Sequence, residues 1–134
     1  MRAALPLLLL LLAGCVAQTA PAHRLAGSEW RFVSIDGEAP ASDKTHLSFE
    51  REHVAANVGC NSMTGPWRVQ DGRLVAGPLA QTKMFCDGAV WDHEQAANAL
   101  LVAAPEISLE NGRLVLRSSG HFAELERIVP APAE

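Results

Sequence analysis

Cys60 lies in the stretch NVGCNSMTGPW (Asn57 to Trp67), between a glycine and an asparagine, and Cys86 closes QTKMFC (Gln81 to Cys86). Such a cysteine can be a nucleophile, a metal ligand or half of a disulfide. A nucleophile needs a base beside it and a reducing setting. The five histidines (His23, His46, His53, His93, His121) carry no motif that supplies one. Zinc is held by close ligand pairs such as C-x-x-C or H-x-x-x-H. None is present, and His93-Glu94 lacks the second histidine of a zinc-protease helix. Glu94 has no carboxylate partner for acid–base work, and a helix-surface or capping role suits it better. No catalytic residue, metal or cofactor is therefore expected. The three tryptophans, Trp30, Trp67 and Trp91, can either fill a core or line an apolar groove for a lipid or a partner's helix.

The compartment narrows the choice for Cys60. The chain begins MRAALPLLLLLLAGC: one positive charge at Arg2, an apolar run from Ala3 to Ala13, then small residues. This is the layout of a secretory signal, and the run is shorter than the roughly 20 apolar residues that span a bilayer. Leu12-Ala13-Gly14-Cys15 resembles the bacterial lipobox at all four positions. The resemblance implies cleavage before Cys15, removal of residues 1–14 and acylation of Cys15. Several acyl chains hold a protein durably where one does not. Val16 rather than Asp follows, which by the same resemblance favours the outer membrane. Residues 15–24 read as a lipidated, flexible tether. The expectation is a periplasm-facing outer-membrane lipoprotein, attached to the membrane through Cys15.

Removing residues 1–14 leaves 120 of the 134 residues and, since Arg2 goes with them, moves the net charge from −4 to −5. That is the size of one domain. A mildly acidic chain with no basic cluster and no tyrosine argues against nucleic acid, and a monomer is expected. With Cys15 committed to lipid, Cys60 and Cys86 form an even pair in an oxidising compartment, so a disulfide is the default. Closing a loop of that span stabilises a fold by about 3.5 kcal/mol in the chain-entropy model.

The elements that must position these residues are mostly strands. Asp36-Gly37, Asp71-Gly72, Asn111-Gly112 and Ser119-Gly120 punctuate the chain, and Asx-Gly between apolar runs marks hairpins because the turn needs positive φ. Strands are predicted over residues 29–35, 45–50, 53–58, 67–70, 73–76, 106–110, 113–117 and 121–127. Residues 87–104 (DGAVWDHEQAANALLVAA) break this rhythm. They are alanine-rich, place Val90, Ala97, Leu101 and Ala104 on one helical face, offer Asp87 as a cap, and end at Pro105. The expected fold class is α+β, mostly antiparallel β: a half-open, barrel-like sheet with one covering helix. Residues 129–134 (VPAPAE) read as a disordered tail.

Several motifs resemble one family. Leu25-Ala26-Gly27-Ser28-Glu29-Trp30 resembles the L-x-G-x-x-W opening of META domains, the HslJ-like family of heat-shock-associated bacterial lipoproteins. Val58 to Gly65 resembles the family's G-C-N-x-x-x-G core, and Thr82-Lys83-Met84-Phe85-Cys86 its T-[RK]-M-x-C. Gly112 to Leu116 and Gly120 resemble the closing hairpins. Met63 and Trp67 stand where an aromatic and a tyrosine are usual. The resemblance covers residues 25–128, places the domain there, and implies an antiparallel half-barrel with one helix. It also implies a connection with heat shock, antibiotic tolerance, secretion or motility, but no defined activity.

Within these motifs Gly59 and Gly65 bracket a segment expected to bend sharply. Asn61 can close an Asx turn on its own backbone, or with Thr82 line a small polar site. Met84 is expected to fill the core and Lys83 to face solvent. The function expected is a non-enzymatic envelope lipoprotein, a stress-related structural or binding module. A pilotin-like or small-ligand-, lipid- or peptide-binding periplasmic protein is the alternative, with an unknown envelope protein or lipid as partner.

Overall fold

The computed structural model describes residues 21–118 and 120–129. The signal segment, Cys15, the first part of the tether, Ser119 and the tail beyond Val129 lie outside the described residues. The described residues form nine strands and two helices. In chain order these are α1 (Pro21–Leu25), β1 (Ser28–Ile35), β2 (His46–Phe49), β3 (His53–Asn57), β4 (Ser62–Gln70), β5 (Arg73–Ala76), β6 (Ala80–Gln81), α2 (Gly88–Val102), β7 (Glu106–Glu110), β8 (Arg113–Ser118) and β9 (His121–Arg127).

All pairings are antiparallel, in the order β3-β2-β1-β9-β8-β7-β5-β4-β6. The mostly antiparallel sheet with one long helix is therefore present. Where a half-open sheet was expected, β3 also pairs with β4, from His53↔Pro66 to Asn57↔Ser62, and closes eight strands into a barrel. The reason lies in β4. Its predicted start at residue 67 is five residues late, because the glycine-containing cysteine motif is itself extended and supplies the closing edge. The thinnest seam is β5–β7, with one register pair, Arg73↔Glu106, flanked by the Leu74 N–H to Pro105 carbonyl and Ile107 N–H to Gly72 carbonyl bonds.

The turns behave as their dipeptides require. Asp36, Asp71 and Asn111 adopt φ of 51°, 52° and 51°, each followed by a positive-φ glycine, so the hairpins set their own register through local backbone conformation. Alternation then puts Trp30, Phe32, Leu47, Phe49, Val54, Ala56, Leu114, Leu116, Ala123 and Leu125 inside, where α2 adds Ala97, Leu100 and Leu101. Residues 21–24, expected in the tether, instead form most of α1, which ends in the fully buried Leu25. Ser28 Oγ donates to the Leu25 carbonyl and accepts from Trp30 Nε1 at 2.6 Å, which locks this entry to the barrel.

The buried face of α2 is His93, Glu94, Ala97, Leu100 and Leu101. Val90 and Ala104, expected on it, are half-buried, and Ala104 lies past the helix at φ 50°. Asp87 occupies the N-cap position but makes no side-chain capping bond. Among the described residues no helix is long and apolar enough to cross a membrane.

Candidate functional site

The corner between β3 and β4 is built by two asparagines. Asn57 Oδ1 accepts the Gly59 N–H at 2.7 Å, so the Asx turn expected of Asn61 is made by Asn57. Gly59 bends the chain at φ 125°, and a Cβ there would meet Ser42 Cβ at 2.7 Å. Gly65 does not bend; it lies inside β4, and its lack of a side chain admits the Pro78 carbonyl, which a Cβ would strike.

Asn61 is buried and turns away from its own backbone. Its N–H and Nδ2 donate to the two carboxyl oxygens of Glu94 at 2.6 and 3.0 Å. Nδ2 also reaches the Met84 carbonyl at 3.2 Å, and Oδ1 accepts from the Met84 N–H at 2.6 Å and Thr82 Oγ1 at 3.1 Å. One amide side chain thus ties together β4, the segment after β6 and α2. Thr82 Oγ1 in turn accepts the Ser62 N–H at 3.0 Å.

Glu94 is 0% exposed, not on the helix surface. A buried carboxyl is tolerated only where donors meet it, and Asn61 provides both. The missed signal was register: Glu94 stands three and seven positions before Ala97 and Leu101, on the apolar face of the helix.

Cys60 and Cys86 are joined as a disulfide with Cα atoms 6.4 Å apart and a sequence separation of 26. With Glu94 they bring the ligand atoms of three side chains of metal-ligating type within 4.8 Å of one another. Sulfurs bonded to each other offer no thiolate to a metal or a substrate, so this cluster is a staple around a polar knot.

The staple holds an apolar surface outward. Met84, expected in the core, is 58% exposed, because its backbone is captured by Asn61 and its side chain is left outside. Phe85 is 92% exposed and Trp91, at the start of α2, 40%. Together with Gln81, Gln95 and Asn98 they surround an open depression of about 380 Å³. Lys83 is exposed, as expected.

The tryptophans do not form one groove. Trp30 is buried in the core under the Arg127 guanidinium, 5.9 Å from its ring. Trp67 packs edge-on against Phe49 with centroids 4.9 Å apart and donates Nε1 to the Glu50 carbonyl at 2.8 Å. Only Trp91 borders the depression beside Phe85. Alternation along a strand says which residues face inward, but not which strands become neighbours of a helix.

Two histidines are tied elsewhere. His93 Nδ1 accepts the Ala41 N–H at 3.2 Å, which leaves Nε2 to donate to Glu38 at 3.3 Å. His121 Nδ1 contacts Asp36 Oδ2 at 2.8 Å, and Phe122 N–H donates to Asp36 Oδ1 at 2.9 Å. Burial pushes the Asp36 carboxyl up. The bonds from His121 and Phe122, with the charge His121 carries when protonated, outweigh it and hold the carboxyl below its ordinary range.

The order of these features along the chain, from the buried entry at Leu25 to the last strand, coincides with one family model, that of the META domain, which matches residues 23–128. The chain belongs to the META domain family. This META domain is distantly homologous to the heat shock protein HslJ of Escherichia coli (strain K12), 27% identical over 123 residues, covering 87% of this chain and 88% of that protein. Two solved NMR structures share its fold. One superposes with a TM-score of 0.71 at 20% identity, covering 81% of this chain and 95% of the other. The second, from Burkholderia xenovorans, gives 0.65 at 21% identity, covering 81% and 87%. At these identities the likeness establishes the META barrel and nothing about ligands.

Proposed function

We propose that this META domain is a non-enzymatic, lipid-anchored module of the bacterial envelope that docks an extended apolar peptide segment of an envelope protein, in a stress-related role. The observation that carries the proposal is the surface made by Met84, Phe85 and Trp91. Met84 and Phe85 are held in solvent on a segment that a disulfide and the Asn61 knot make rigid, and Trp91 stands beside them on α2. Rigid exposed aromatics cost little entropy on binding and are typical anchors of interfaces. A peptide suits this place because β6 ends the sheet order and, among the described residues, pairs with β4 alone. An extended segment added to its free edge would gain main-chain hydrogen bonds while its side chains meet Phe85 and Trp91. Gln81, Gln95 and Asn98 supply amides at the rim. An acyl chain suits it less, since the depression is open and partly polar.

Two features support a non-enzymatic reading. The thiols are joined, and both Glu94 oxygens are engaged by Asn61. The lipobox-like Leu12–Cys15 supports the anchor, Val16 after it supports the outer-membrane location, and the name of the HslJ relative supports the link to heat stress.

The test places a photo-crosslinking amino acid at Phe85 and, as control, at Val102, which is 58% exposed at the other end of α2. In intact cells Phe85 should give one discrete protein adduct that Val102 does not, and Cys60→Ala/Cys86→Ala should abolish it. No adduct, or the same adducts from both positions, overturns the docking surface.

A further inference from the structure

The far end of the barrel carries a second surface, of opposite character. Here lie α1, the β2–β3 turn, the ends of β4 and β9 and the β7–β8 turn. Five of the eight arginines in the described residues gather around α1. Arg51 and Arg68 line a depression of about 540 Å³ with Ala22, Ala26, Trp67 and Val69. Arg24, Arg113 and Arg127 line a smaller one, about 90 Å³, together with Glu110. Among the described residues, Arg113 alone of these five has a carboxylate within 4.0 Å, Glu124 at 3.9 Å. Glu50 and Glu52 flank Arg51 in the turn, yet neither forms an ion pair with it or lines the larger depression. In a chain of net charge −4, the larger depression, whose charged lining groups are Arg51 and Arg68, and the smaller one, with three arginines to one glutamate, are a local departure from the average.

We propose that this α1 end is a docking surface for an anionic phospholipid bilayer. Three features point to a membrane. Arginine presents a planar fork of donors that matches phosphate oxygens in pairs. Trp67, half-buried among them with Ala22, Ala26 and Val69, is an aromatic with an apolar face at headgroup level, the position tryptophan favours in membrane interfaces. The chain also arrives here from Cys15. The six residue steps from Cys15 to Pro21 reach at most about 20 Å, so a lipid on Cys15 would hold this end, and no other, against the bilayer. The orientation rests on the lipid-anchor reading; the charge arrangement does not. With the α1 end on the membrane, the opposite end, with Phe85 and Trp91, is presented to the periplasm.

The test uses residues 16–134, which contain the whole barrel and lack the lipid. Binding is measured by co-sedimentation with vesicles of phosphatidylglycerol and phosphatidylethanolamine, against phosphatidylcholine alone. Binding should favour the anionic vesicles and weaken with salt. Arg51→Ala/Arg68→Ala should lower it about 25-fold, roughly five-fold for each arginine lost at a membrane surface. Lys44→Ala/Lys83→Ala removes the same charge elsewhere and should leave binding close to that of the parent. Equal binding to both vesicle types, or equal loss in the two double variants, overturns the surface. Mass analysis of Cys15 in the cell-made protein tests the anchor separately. An unmodified Cys15 with preferential anionic binding intact would overturn the anchor and leave the surface standing.

Discussion

The two ends of this barrel solve opposite problems. At the β3–β4 corner a carboxyl, an amide and an irregular backbone are buried together, and every polar side-chain atom of Asn61 and Glu94 has a partner. At the α1 end the charges are exposed, and Arg24, Arg51, Arg68 and Arg127 pair with no carboxylate among the described residues. The first region converts specific pairing into stability and holds Phe85 outward. The second contributes little to stability, because exposed charges remain solvated in the unfolded chain as well. A domain can therefore change its surface chemistry at one end while its fold is held from the other.

Substitutions should separate the two ends in a definite order. Asn61→Ala keeps the backbone N–H on Glu94 Oε1 but removes the Nδ2 donor from Oε2 and the Oδ1 acceptor from the Met84 N–H and Thr82 Oγ1, leaving buried polar groups unsatisfied. It should cost about 3–5 kcal/mol in denaturant unfolding. A loss below about 1 kcal/mol would mean that water replaces the amide and the knot is not a cooperative unit. Next comes Cys60→Ala/Cys86→Ala, which should cost about 3.5 kcal/mol from loop entropy, with a matching loss in the parent under reducing conditions. If reduction lowers stability but leaves the Phe85 adduct intact, the staple serves the fold alone.

The smallest effect belongs to Asp36→Asn. Its carboxyl lies below its ordinary range when folded, so its contribution is present above the unfolded value of about 3.9 and disappears as pH falls through the folded value. The variant should be about 0.5 kcal/mol less stable at pH 5–6, and the gap should close as pH falls through the folded value. A gap that persists at low pH would assign the effect to the turn backbone rather than to charge. By contrast, Arg51→Ala/Arg68→Ala should leave stability within about 0.5 kcal/mol while changing vesicle binding.

The hairpins were legible because Asp71-Gly72 and Asn111-Gly112 act through their own φ angles, and alternation marks the inner faces beside them. The pairing of Cys60 with Cys86 was legible once one cysteine was set aside for lipid. Met84 was misread because alternation assigns side chains to faces only where a strand exists, and Thr82 to Cys86 is not a strand. Glu94 was misread because an acid on a helix is usually solvated, and composition outweighed its position relative to Ala97 and Leu101.

By itself, then, the sequence determined the Asx-Gly turns, eight of the nine strands in their order along the chain (the two-residue β6 is missed), the single long helix and the membership of residues 23–128 in the META domain family. These depend on interactions between near neighbours or on motifs preserved in order. Tertiary structure decided that the barrel closes through β3 and β4, that Asn61 finds Glu94 across 33 positions, and that Phe85 faces water rather than the core. The physical reason is range. Backbone angles and alternation are set within a few residues, whereas the burial of a carboxyl is settled only when a distant amide arrives to meet it.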